Sequence, residues 1–168
     1  MIRTARDDEL ELLLQIEREA GRAFADVGMP EIAGDDQGTV EELVGAWVAV
    51  DDDDRPVAYL ISAVVDGCAH IEQVSVAPSH ARRGLGAALI DHLAAVTDTP
   101  ALTLTTFRDV PWNAPYYARL GFHALEPADY GPELAAVVRD EAERIPGDAP
   151  RVAMRREISR YSTVRTGT

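Results

Sequence analysis

The sequence predicts an α+β fold, a mixed and mostly antiparallel central sheet flanked by helices. Three observations carry this reading. Strand-like runs at Trp47 to Val50 and Val57 to Val65 flank the turn sequence DDDDRP, and a third run, Ala69 to Val76, follows the turn pair Asp66-Gly67. A helical stretch then separates that run from Ala101 to Phe107, rich in apolar and β-branched residues, so the unit at 70–107 is expected to be a right-handed parallel crossover. With 168 residues the chain has room for one well-buried core and is short for two. Residues 1–158 are therefore read as a single domain and 159–168 as a disordered tail.

Taken in order, residues 2–6 read as an edge strand. Asp7 and Asp8 then sit as N-cap residues for a helix carrying Leu10, Leu13, Leu14 and Ile16 on its inner stripe. The segment FADVGMPEIAGDDQGT is a loop by composition, and Thr39 with Glu42 three residues on marks a helical turn at 40–45. The four aspartates of 51–54 read as a solvated turn. The helix after Gly84 presents Leu85, Leu89, Leu93 and Val96 as one stripe, and Pro100 stops it. Pro111 is placed to start the next helix, with Tyr116, Tyr117 and Leu120 on it and Gly121 ending it. Phe122 to Leu125 reads as a strand, 132–144 as a helix, and Arg151 to Ile158 as a final strand.

Composition narrows the partners. Charged residues at 27% and apolar residues at 46% make an ordinary globular balance. The formal net charge is -13: residues 1–150 hold 11 arginines against 28 acids, and 151–168 hold five arginines against Glu157. So acidic a body repels nucleic acid and anionic membrane and attracts cationic small molecules or basic peptides. The charged start MIRTARDDE lacks a signal-peptide core, no apolar run is long enough to span a membrane, and the lone Cys68 has no internal disulfide partner. A reducing cytoplasm is the expected setting. No spacing among His70, His80, His92 and His123, nor among the aspartates, dictates a metal site, and none is expected.

The most informative stretch is VSVAPSHARRGLGAALI, Val74 to Ile90. A strand runs through a proline-containing loop into a glycine-rich turn that opens a helix. Gly84 and Gly86 leave backbone N–H groups bare at a helix N-terminus, a geometry that receives phosphate oxygens without a charged side chain. Arg82 and Arg83 stand beside it, so a diphosphate-bearing ligand is expected there. No lysine follows the glycines as it would in a generic nucleotide-phosphate loop.

This motif, together with NAPYYARLGF at Asn113 to Phe122, resembles the two hallmark segments of the GNAT superfamily of acyl-CoA-dependent N-acyltransferases, and the resemblance covers nearly all of the chain. The family's acyl-CoA motif begins with Gln or Arg, followed by two residues and then Gly-x-Gly/Ala. Here Ala81 holds that first position, leaving Arg82 or Arg83 to supply the side-chain contact. The resemblance implies a GNAT-like sheet with acyl-CoA bound at its splayed central strands. Backbone groups of Val74 and Val76 would pair with the pantetheine arm with Ser75 between them. The amides of Arg82, Arg83, Gly84, Leu85, Gly86 and Ala87 would hold the pyrophosphate, and Asn113 would contact the arm near its thiol end. Because members are frequently dimeric, a homodimer is expected by likeness.

Acetyl transfer to an amine needs a proton acceptor, a donor for the developing oxyanion and an acid for the departing thiolate. By the resemblance Tyr117 takes the acid's position and also contacts the cofactor, and the Val74 N–H is the oxyanion donor. Glu72 is the candidate base: strand period puts it on one face with Val74, and His70, on the same face, is the runner-up. The alternative for each is an ordinary packed or solvated side chain. The likeness places the acceptor among residues 20–40, the strands near Trp47 and Tyr59, and the loop RDVPWN. Phe24, Met29, Trp112 and Tyr116 are candidate apolar walls there; Asp26, Glu31, Asp35, Asp36 and Asp109 are candidates to attract a cation. Tyr116 is expected to point away from Tyr117, since adjacent helical residues do not share a face.

The leading function is thus an acetyl-CoA-dependent N-acetyltransferase acting on a primary amine of a small molecule or peptide, by direct attack in a ternary complex. The alternative is a non-catalytic acyl-CoA-binding regulatory module. An acyltransferase directed at charged tRNA is disfavoured by the acidic body.

Overall fold

The structure is a computed structural model that describes residues 1–26, 45–110, 113–144 and 151–159, with side chains of 23–26 left aside. Its strands are β1 (Ile2–Thr4), β2 (Ala46–Val50), β3 (Pro56–Val65), β4 (Cys68–Val76), β5 (Ala101–Phe107), β6 (His123–Ala124) and β7 (Arg151–Glu157). The helices are α1 (Leu10–Asp26), α2 (Leu85–Val96), α3 (Ala114–Arg119) and α4 (Pro132–Arg144). The strands join one mixed sheet in the order β1-β2-β3-β4-β5-β7-β6. Pairs β1/β2, β2/β3, β5/β7 and β6/β7 are antiparallel, while β4 and β5 are parallel. That parallel ladder is short, matching Ala69, His70 and Ile71 to Leu102, Thr103 and Leu104. No helix among the described residues is long and apolar enough to cross a membrane.

The backbone divides into two compact units. The first rests on residues 1–62 and 72–92, the second on 63–71 and 93–143 with the closing strand. In the first, Leu13 and Ile16 of α1 lie one helical turn apart and pack onto Ala46, Val48, Tyr59 and Ile61 of the sheet and Ala77 just past β4. Each such side chain contributes about 1.5–3 kcal/mol by leaving water, which is ample to dock one helix. On α2, His92 meets the Trp47 ring edge-on, with centroids 4.6 Å apart.

The acidic run at 51–54 does more than solvate a turn. Asp51 Oδ1 accepts the N–H groups of Asp53 and Arg55, while Asp54, at φ 60°, reaches Arg3 and Arg6. Arg3 donates to Glu9 at 2.6 Å and to Asp54 at 2.9 Å. These guanidinium hydrogen bonds hold both carboxyls below their ordinary values. A carboxyl depressed in the folded state stabilises it above the unfolded pKa and loses that contribution as pH falls through the folded one. Stability is therefore expected to drop below about pH 4, with Arg3→Ala flattening that decline in melts run from about pH 6 to pH 3.

In the second unit Asp66 and Gly67, at φ 49° and 73°, form the two-residue turn between β3 and β4. The Asp66 carboxylate then accepts the N–H groups of Glu133 (3.1 Å) and Leu134 (2.8 Å), capping α4 from a distant part of the chain. Gly131 is required by that approach, because a Cβ there would collide with the carboxylate. Leu134 packs with Val65 and Ala153, and Leu125, Tyr130, Val137 and Val138 close around them.

Several expectations need correction. The first edge strand is shorter, and a 3-10 turn at Asp7–Glu9 follows Arg6, whose N–H donates to Glu9 Oε2 at 2.8 Å, so Arg6 and not an aspartate is the capping position. On α2 the buried stripe is Gly86, Leu89, Ile90 and Leu93; Val96, the last residue of the helix, is exposed. The Tyr117 helix starts after Asn113 with Pro115 in its first turn, and Pro111 lies outside the described residues. The strand expected at Phe122 to Leu125 is only two residues long. The helical turn expected at 40–45 lies, up to residue 44, outside the described residues.

Candidate active site

In the first unit β4 ends at Val76, a 3-10 turn covers Pro78–His80, and α2 begins at Leu85. Between them Arg82 has φ 64° and Gly84 φ 74°. The glycine reaches the left-handed region freely; the arginine does so at a steric cost of about 1–2 kcal/mol. Sequence reasoning missed that strained arginine, for Asn, Asp and Gly are the residues that signal such a backbone. The first hydrogen bond of α2 runs from Ala88 N–H to Gly84 O at 2.9 Å. The N–H groups of Leu85, Gly86 and Ala87 thus precede any intrahelical acceptor and carry the positive end of a 12-residue helix. A Cβ built on Gly84 meets nothing within 4 Å, so the turn is open above it. Arg82, Arg83 and Gly84 are exposed. These features fit the diphosphate of a coenzyme A.

The segment Val74, Ser75 and Val76 is half-buried, and Ala77 N–H closes it onto Val57 O at 2.8 Å. Glu72 is exposed. Its rival as base is differently placed. His70 is only 3% exposed, and its Nδ1 lies 2.8 Å from Thr103 Oγ1. Burial pushes its pKa down, while Glu141 on α4 pushes the other way. Glu141 Oε2 in turn accepts from Thr105 Oγ1 (2.6 Å) and Arg151 Nη2 (3.2 Å), and Arg151 lies 4.7 Å over the Phe107 ring. His70 is thus a buried histidine bonded to Thr103 of β5, with the Glu141 charge of α4 acting on it. Periodicity along β4 gave no sign of this, since both groups come from other elements.

In the second unit the end of α3 explains NAPYYARLGF. Gly121, at φ 94°, donates to Ala118 O (3.1 Å), and Phe122 N–H donates to Tyr117 O (3.1 Å). This is the Schellman pair of bonds, and the apolar contact that accompanies it is Phe122 against Tyr117, centroids 5.8 Å apart at 73°. The Gly-Phe pair therefore clamps the Tyr117 ring. Tyr116 does not point away; its ring meets that of Tyr117 edge-on at 5.3 Å, with the Arg119 guanidinium 5.9 Å from its own centroid. Burial, and to a lesser degree Tyr116, pushes the Tyr117 phenol well above its ordinary value, so it is protonated at neutral pH. Asn113 is the N-cap residue: its carbonyl accepts from Tyr117 N–H at 2.9 Å, while its side chain makes no cap hydrogen bond.

Of the acceptor candidates only Tyr116 and Asp109 are open to description. Asp109 is exposed and pairs with Arg108 at 3.4 Å. Phe24 and Asp26 fall on α1 where side chains are left aside; Met29, Glu31, Asp35, Asp36 and Trp112 lie outside the described residues.

Comparison with known proteins bears on this arrangement. The fold is similar to that of N-acetylglutamate synthase from Neisseria gonorrhoeae in complex with coenzyme A and N-acetyl-glutamate, with a TM-score of 0.67 at 12% identity. The match covers 94% of this chain but 35% of that one, so the chain spans about a third of the synthase. PaiA N-acetyltransferase from Thermoplasma acidophilum, in complex with coenzyme A, matches with a TM-score of 0.64 and 14% identity over 94% of this chain and 98% of that one. The ribosomal-protein-S18-alanine N-acetyltransferase from Escherichia coli gives 0.61 and 20% over 94% and 93%. At such identities the likeness is one of fold. The family model described as "Acetyltransferase (GNAT) family" matches residues 10–122, well over half of the chain and inclusive of both the glycine turn and the Tyr117 helix. The chain belongs to the GNAT family of acetyltransferases.

Proposed function

We propose that this protein moves an acetyl group from acetyl-CoA to a primary amine of a small molecule or peptide, by direct attack in a ternary complex. The observation that carries the reading is the glycine turn: left-handed Arg82 and Gly84, an open space above Gly84, and N–H groups of Leu85, Gly86 and Ala87 ahead of the first helical bond. Such a turn receives pyrophosphate oxygens on amides of residues 82–87, with Arg82 or Arg83 adding charge from the surface. Main-chain groups of Val74 and Val76 pair with the pantetheine arm across Ser75, and Asn113 steadies it near the thiol. The lone Cys68 supports a reducing, cytoplasmic setting.

Acetyl-CoA supplies the acyl group as an activated thioester. Around it Val74 N–H is the donor for the carbonyl oxygen as it gains charge. Tyr117 Oη holds a proton and passes it to the sulfur. Because burial raises the phenol, that transfer is uphill by more than the roughly 2 kcal/mol that separates an ordinary phenol from an ordinary thiol. Glu72 is the proton acceptor for the amine, and its exposure supports action from the solvent side. Among the described residues, Tyr116 is the one left to serve as an apolar wall for the acceptor.

The test is a panel of amine acceptors (polyamine, amino sugar, amino acid, peptide) with acetyl-CoA, read by thiol release and by product mass. Amine-dependent thiol release is expected for at least one class. Glu72→Gln should lose the acidic limb of the pH–rate profile. Coenzyme A binding without thiol release from any amine would favour the non-catalytic module.

A further inference from the structure

The parallel ladder between β4 and β5 stops early. Ala69, His70 and Ile71 face Leu102, Thr103 and Leu104; beyond them neither strand has a register partner on the other, although β4 runs on to Val76 and β5 to Phe107. At its middle position two side chains bond across the pair, with His70 Nδ1 2.8 Å from Thr103 Oγ1. Both residues are buried, at 3% and 4% exposure, and the whole ladder belongs to the second unit. Parallel pairing is slightly weaker per residue than antiparallel pairing, so a ladder this short gains from an added side-chain bond.

The direction of that bond follows from what each group can give. Burial pushes the His70 pKa down, against the smaller opposing effect of Glu141. The ring is therefore neutral at pH 7, with one nitrogen donating and the other accepting. Thr103 stands in register between His70 on β4 and Arg155 on β7, and an arginine side chain offers no acceptor. Among the described residues, Nδ1 is the one group that the Thr103 hydroxyl bonds. A hydroxyl that only accepted there would leave its own hydrogen buried and unpaired, a costly state.

We propose that Thr103 donates to Nδ1 of a neutral His70 protonated at Nε2, and that this buried bond is a clasp fixing the point where β4 and β5 part. His70 is then a positioning residue and takes no proton from the amine. The consequence for ligand binding rests on the function proposed above. From the clasp β4 continues into Val74–Val76, the stretch whose main chain pairs with pantetheine. Loosening the ladder lets that stretch shift, which weakens coenzyme A binding without removing a group that reacts.

The test has two arms. Heteronuclear NMR of wild-type protein labelled with heavy nitrogen in histidine, at pH 7, is expected to show His70 protonated at Nε2 and bare at Nδ1. His70 is assigned through the signals that His70→Gln lacks. A proton on Nδ1 overturns the proposal. In the second arm, Thr103→Val keeps the side chain's shape and is expected to bind coenzyme A roughly three- to tenfold more weakly by calorimetry. Its KM for acetyl-CoA should rise while kcat stays within about twofold. Thr103→Ala should behave likewise, and Thr103→Ser, which restores the hydroxyl, should return the affinity. If the variants without the hydroxyl melt lower yet bind coenzyme A like the wild type, or if Thr103→Ser rescues nothing, the bond is mere packing and the clasp fails. A fall in kcat at unchanged KM would overturn it too, by giving His70 a part in the chemistry. A wild type with no affinity for coenzyme A would end the proposed function instead, and the NMR arm alone would then judge the bond.

Discussion

Tyr117→Phe lowers the turnover number by roughly one to three decades while leaving coenzyme A affinity and thermal stability nearly unchanged. The substitution removes one oxygen and nothing else that holds α3 in place. The ring keeps its edge contacts with Tyr116 at 5.3 Å and Phe122 at 5.8 Å. The Schellman bonds through Gly121 and Phe122 involve only main-chain atoms. What disappears is the proton on Oη, which burial keeps in place at neutral pH. Because that pKa is raised above the ordinary phenol value, deprotonation of Tyr117 adds no basic limb to the wild-type profile below about pH 10. Thiol release under saturating substrates, paired with calorimetry, measures both quantities. Equal turnover in variant and parent would remove Tyr117 from the acid's role.

Gly84→Glu abolishes usable coenzyme A binding, with affinity expected to fall at least about 100-fold, equivalent to about 2.7 kcal/mol. The fold tolerates the change far better. A Cβ at this position meets nothing within 4 Å, so the intrinsic penalty is that of forcing a side-chain-bearing residue to φ 74°, about 1 kcal/mol. For a domain of this size that is a loss of about 2–4 °C in melting temperature. Gly84→Ala separates the contributions, since it carries the same backbone cost without placing a carboxylate before the helix N-terminus. Melting curves and calorimetry with coenzyme A on the two variants give the comparison. Wild-type affinity in Gly84→Glu would rule out the turn as the phosphate cradle.

Much of the site's frame was legible in the residues. Alternation and turn pairs located β2, β3, β4 and β5, and Asp66-Gly67 adopts the two left-handed residues such a hairpin turn demands. The glycine turn and Gly121 were readable for the same reason: a positive φ restricts the residue type, so the residue type reports the backbone. Arg82 shows the limit of that logic, being left-handed with no residue to announce it.

Side-chain environments were far less legible. Glu72, the candidate base, and His70, its runner-up, sit two apart on one strand, yet His70 is buried against Thr103 and Glu72 is exposed. Asp54 looked like solvated charge and is bound by Arg3, 51 residues away in sequence. Tyr59 read as marking strands near the acceptor, and its side chain is fully buried.

The sequence alone determined which segments are strands and helices, where the backbone turns left-handed for glycine, and which family's motifs the chain carries. These depend on interactions within a few residues, where periodicity and φ preferences act. Tertiary structure alone decided which titratable groups lose water and which carboxylate meets which arginine. Those outcomes depend on desolvation and contact between elements distant in the chain, to which local pattern is blind.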